Sequence, residues 1–226
     1  MARKYKIKNS LLERLNRSGD GSRVEGVRKP RKYFLLFCEG ARTEPAYFTA
    51  FAKLLPNHLV SLEVDQTGGL NTISLVNHAI KMLPEYQKQN PNIDLEVWIV
   101  FDRDSFPNQH VNQAVATANR VGFKCAFSNE AFELWYLLHF ENYTAALSRQ
   151  QYGGLLSNHL GKRYEKNDPN LYNLLQTLDN SEESLAIRYA KGLKTAQAGK
   201  TPSNSCPFTS VYKLVEELNK FKPAAS

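Results

Sequence analysis

Hydrophobic and polar positions divide the chain into short apolar runs separated by segments of helical spacing. Val97–Phe101 is a continuous apolar run rich in β-branched and aromatic residues, followed at once by Asp102-Arg103-Asp104. Such a run is too short for a helix and fits a strand buried on both faces. Tyr33–Cys38 repeats the pattern and ends in Glu39-Gly40. Leu59–Val64 and Phe123–Phe127 read as two further strands. Between the first two, Tyr47, Phe48, Phe51, Leu54 and Leu55 recur at helical spacing up to Pro56. There Gly40 permits a tight turn, Thr43 is expected to cap the helix, Pro45 suits its first turn and Glu44 complements its dipole. Two more helices are expected, from about Asn71 to Lys88 and from about Asn108 to Val121, the latter closed by Gly122.

Past the fourth strand, Ser128 or Asn129 reads as the N-cap of an apolar helix reaching Phe140, with Glu133 about one turn in. From Thr144 onward only helical patterns occur: Ala145–Leu160, Leu171–Leu178, Glu182–Thr195 and Phe208–Phe221. Strand and helix alternate over residues 32–142. That predicts an α/β core with an open, mostly parallel four-stranded sheet and helices on both faces. A basic arm and linker (1–31) precede it, with a short helix over Asn9–Asn16 and a Gly/Ser/Arg-rich Arg17–Pro30. A helical extension (143–226) follows.

Charge sharpens this division. The net charge is +7, yet residues 1–32 hold eleven Lys or Arg against three acids, a net of +8, which leaves about −1 for the rest. A polybasic arm before a neutral body suggests an anionic polymer, most simply nucleic acid, as partner; a solubilising tail is the plainer reading. No apolar run is long enough to cross a membrane, and no signal-peptide pattern opens the chain. Three scattered cysteines, Cys38, Cys125 and Cys206, have no metal-ligand spacing and read as free thiols in a reducing cytoplasm.

Turns after the strands of a parallel sheet open at one edge, so Glu39, Asp102 and Asp104 are expected to converge there. Two carboxylates about 4 Å apart repel by ~4 kcal/mol at an effective dielectric of about 20. Three together require protons or a cation, and Mg²⁺ (or Mn²⁺) with oxygen ligands is the usual answer. If the backbone stays extended, Asp102 and Asp104 point to the same side. Such a site can activate water against a phosphodiester, with Glu39 as ligand or general acid/base. The alternative is that the two aspartates merely cap the next helix. Thr67-Gly68-Gly69 could cradle a phosphate or simply turn the chain. Glu133, an acid in an apolar helix, needs a partner and reads as a ligand or as a residue that orients one. His139 reads as a core hydrogen-bonder, Trp98 and Trp135 as core, and Arg103 as a phosphate contact or a partner of its acidic neighbours. Lys194, Lys200, Ser203 and Asn204 are expected to be solvated unless substrate or a partner covers them. No Walker A sequence is present, so ATP hydrolysis would need another protein.

A strand ending in Glu-Gly and a later one ending in Asp-x-Asp resembles the Toprim domain of topoisomerases, primases and related nucleases. Cys-Glu-Gly-x-x-Thr-Glu-Pro-x-Tyr-Phe (Cys38–Phe48), Val-Phe-Asp-Arg-Asp (Val100–Asp104) and Ser-Asn-x-x-Phe-Glu-Leu-Trp-x-Leu-Leu-His-Phe (Ser128–Phe140) together resemble the RloB-like family. That resemblance implies a Mg²⁺-dependent nuclease of bacterial defence and abortive-infection loci, often encoded beside an ABC/SMC-like ATPase. It implies Glu39, Asp102 and Asp104 at the centre, with Glu44 and Glu133 supporting them or holding a second metal. DNA and RNA, including transfer RNA, remain open as substrates, as does homo-oligomer formation. The alternative is a non-catalytic nucleic-acid adaptor of the same shape docking on the ATPase.

Overall fold

The computed structural model describes residues 32–66, 70, 72–91, 93–104 and 106–223. The expected Asn9–Asn16 helix, the Arg17–Pro30 linker and the Thr67-Gly68-Gly69 turn lie outside them. Five strands, β1 (Lys32–Cys38), β2 (Val60–Gln66), β3 (Asp94–Asp102), β4 (Lys124–Asn129) and β5 (Phe208–Thr209), form one open sheet. Their order is β2-β1-β3-β4-β5, parallel throughout except for β5, which runs antiparallel to β4. Eight α-helices are described: α1 (Thr43–Ala52), α2 (Thr72–Gln89), α3 (Asn108–Arg120), α4 (Glu133–Leu137), α5 (Arg149–Leu160), α6 (Leu171–Thr177), α7 (Glu183–Ala196) and α8 (Val211–Asn219). None of them is long and apolar enough to cross a membrane.

The sheet is mixed and five-stranded, not four-stranded as expected. The expected helix over Phe208–Phe221 begins only at Val211, because Phe208 and Thr209 pair with Asn129 and Ser128. Ser210 secures the junction, its backbone N–H and its hydroxyl both meeting Phe127. The helix expected over 128–140 is also shorter. Ser128 and Asn129 continue β4 rather than capping a helix, and Glu133 is the first residue of α4 instead of lying a turn inside it.

The apolar runs of β1 and β3 are buried from Tyr33 to Cys38 and from Val97 to Asp102. Alternate residues feed two cores. Phe34, Leu36, Trp98 and Val100 pack against α1 and the C-terminal helices; Leu35, Phe37, Ile99 and Phe101 pack against α2 and α3. The chain goes from β1 outward to β2, then back across β1 to β3. A crossover of constant hand puts the helices of these oppositely directed steps on opposite faces, as α1 and α2 are. The reversal leaves a crevice beyond the carboxyl ends of β1 and β3.

Candidate metal centre

The β1–β3 ladder runs straight into the crevice: the Glu39 backbone N–H donates to the Val100 carbonyl at 3.0 Å. This seats the Glu39 side chain beside the end of β3, where Oε2 accepts from the Asp102 backbone N–H at 3.3 Å and Oε1 from the Thr72 hydroxyl at 3.4 Å. Glu44, near the start of α1, lies over Gly40, where an added Cβ would collide with its carboxylate. Gly40 leaves the room that the Glu44 carboxylate occupies. Thr43, expected as a cap, is instead inside α1, behind Arg42, and donates its hydroxyl to the Lys166 carbonyl at 3.2 Å.

Asp102 is buried. It accepts from the Phe132 backbone N–H, while its Oδ1 has no hydrogen-bond partner among the described residues. Asp104 does not continue the strand. Its φ of 45° is left-handed, so the extended geometry that would align both aspartates on one side is broken, and Asp104 meets Arg149 Nη2 at 3.1 Å. Glu133 accepts from the Tyr164 hydroxyl at 3.1 Å and lies 3.8 Å from Lys166 Nζ. Arg103 bonds the Asp104 carbonyl and Asn108 Oδ1.

Glu39, Glu44, Asp102 and Asp104 share one cleft of about 450 Å³, which Arg149, Lys166 and Asn167 also line. Glu133 lies behind it, close enough to act on both Asp102 and Glu44. Burial is the main cause of perturbed acidity at Glu39, Glu44 and Asp102. It pushes the Glu39 carboxyl up to about 7, aided by Glu44 and Asp104. Burial also raises Glu44, and it lifts Asp102 well above the usual range, with Glu44 and then Glu133 adding to the effect. Carboxyls held this way hold charge poorly unless a cation joins them.

Among the described residues, no three His, Cys, Asp or Glu side chains stand close enough to grip a metal ion as placed. The donor set nevertheless fits a hard divalent cation: Glu39, Glu44, Asp102 and Asp104 offer carboxylate oxygens to one cleft, and the Asp102 Oδ1 is buried without a partner among the described residues. As placed, Asp104 meets Arg149, and Glu133 meets Tyr164 and Lys166.

A profile of the RloB-like protein family matches residues 34–218. The chain belongs to the RloB-like family. Comparison with curated proteins and with solved structures gives no match. The RloB-like match spans all five strands and eight helices except the ends of β1 and α8.

Arg149, Lys166 and Tyr164 were not legible as parts of the site. Each reaches it by tertiary packing of the extension, without a motif to mark it. His139, by contrast, is where the sequence puts it, in the core, with Nδ1 2.9 Å from the Trp135 carbonyl. Ser203 departs from the solvated position expected of it: it is buried and bonds Asn112.

Proposed function

We propose that this protein is a metal-dependent nuclease with a Toprim-like core, its catalytic cleft lying between the carboxyl ends of β1 and β3. The observation that carries the reading is Asp102: a buried acid with an unpartnered oxygen, ringed by Glu39, Glu44 and Glu133 at the point where strand order reverses. Bound Mg²⁺ or Mn²⁺ would supply Lewis acidity and a water of lowered pKa against a phosphodiester. Asp102 and Asp104 would hold the ion directly. Glu39 would complete the ligand set or carry the proton, fixed by the Asp102 N–H and Thr72. Glu44 and Glu133 would orient these ligands or hold a second ion. The basic arm, +8 over residues 1–32, would retain the polyanion. The family resemblance extends the reading to anti-phage defence in the cytoplasm with an ABC/SMC-like ATPase partner.

The test is incubation of the full chain with Mg²⁺ or Mn²⁺ and duplex DNA, single-stranded DNA or total transfer RNA. Scission that disappears in EDTA, in Asp102→Ala and in Glu39→Ala is expected. Full activity in EDTA or in either variant would overturn the proposal. The Arg149–Asp104 pair favours a second reading, a non-catalytic adaptor whose acids are neutralised from within. That reading requires metal-independent binding and no scission under any condition.

A further inference from the structure

The C-terminal extension meets the acidic cleft at two points and brings a cation to each. Arg149, the first residue of α5, stands 3.1 Å from Asp104 Oδ1; Lys166, in the α5–α6 connection, stands 3.8 Å from Glu133 Oε1. Both line the cleft together with the acids that follow β1 and end β3. Neither is needed to anchor the extension. Tyr152, Leu156, Leu160, Leu171, Tyr172 and Leu175 are buried in the main core and fix α5 and α6 there. Burial of six such side chains outweighs one exposed ion pair and one whose lysine is exposed. The Arg149 and Lys166 side chains remain 39% and 55% exposed, so each keeps surface open to water.

An arginine in this position has spare donors in a planar fork that matches two oxygens of one phosphate, and a lysine adds a mobile point charge. Once a metal ion has neutralised the acids, these two and the exposed Arg42 are the charges left lining the cleft, and only these two come from the extension. We propose that Arg149 and Lys166 form the phosphate-binding wall of the cleft, receiving the backbone of a nucleic-acid strand and holding a phosphodiester over the carboxylates. This inference rests on the nuclease reading of the same cleft.

The test measures binding of a short single-stranded phosphorothioate oligonucleotide to the full chain by fluorescence anisotropy. It is run in Ca²⁺ across a range of salt concentrations, with thermal melting as the control for folding. Arg149→Ala is expected to weaken binding about tenfold and Lys166→Ala somewhat less. Each should reduce the salt slope by about one, and the double variant by about two. Arg149→Lys should restore the slope while recovering only part of the affinity, because the fork is lost. Arg149→Gln replaces the alanine variant if that one melts early. Calorimetry with Mn²⁺ separates the two readings. Mn²⁺ binding with an unchanged salt slope in the variants overturns the phosphate wall alone. A lowered slope in a chain that binds no Mn²⁺ upholds the wall and overturns the nuclease reading.

Discussion

Both edges of the sheet carry acids, and they treat them in opposite ways. At the amino-terminal edge, Lys32 Nζ lies 2.9 Å from Asp94 and 3.0 Å from Glu96, and Lys124 Nζ lies 2.8 Å from Glu96. The Trp98 indole N–H donates to the same Glu96 carboxylate at 2.8 Å. Burial alone would raise the Glu96 carboxyl, but the hydrogen bonds from Lys124, Lys32 and Trp98 outweigh it and hold it below its ordinary value. At the carboxyl edge the balance reverses, and burial wins at Glu39, Glu44 and Asp102. An acid with partners built in is structural. An acid kept buried with an unsatisfied oxygen, as Asp102 is, costs stability, and a protein that retains one among other buried acids retains it for something it binds.

The strongest way to break this contrast is Asp102→Asn. It should lower Mn²⁺ affinity more than about 100-fold, read by calorimetry, since even residues that only orient ligands cost 10–100-fold. It should also raise the melting temperature. The folded Asp102 carboxyl lies above its unfolded value, so the stability it contributes is present at acid pH and lost as pH rises through the folded value. At neutral pH the amide removes that loss.

His139 sharpens the contrast with the opposite sign. Burial holds its imidazole down at about 4, below the ordinary 6.5. Stability is therefore intact above the ordinary value and falls as pH drops toward the folded one, by about 3 kcal/mol in all. Urea midpoints across that window should fall less steeply in His139→Gln than in the wild-type chain.

Glu96→Gln should cost about 1–3 kcal/mol by the same urea assay, through lost charge-assisted bonds to Lys32 and Lys124. Mn²⁺ affinity should not change. The smallest effect is expected of Gly40→Ala. Its Cβ would push the Glu44 carboxylate aside and weaken Mn²⁺ binding by roughly threefold to tenfold, with little change in stability.

The parts legible in the sequence were those whose physics is local. β1 and β3 are apolar on both faces, so their runs are continuous and their closing acids stand out. β5 has two residues and exists only because β4 offers Ser128 and Asn129 as partners. The short α4 was masked by burial on every side: from Ala131 to His139 each residue is interior, so periodicity says nothing about where the helix stops. Asp104 illustrates the same limit within the site. Its one-residue spacing from Asp102 suggests a shared side, but a left-handed backbone turns it toward Arg149. The cations paired with the acids come from a different part of the chain, and only the packed extension brings them there.

Calorimetric titration of the wild-type chain, Asp102→Asn and Glu96→Gln with Mn²⁺ sets one edge directly against the other. Binding by the wild-type and Glu96→Gln chains that disappears in Asp102→Asn is the expected result. No binding by the wild-type chain, or equal binding by all three, would contradict the assignment of the carboxyl edge as a metal site.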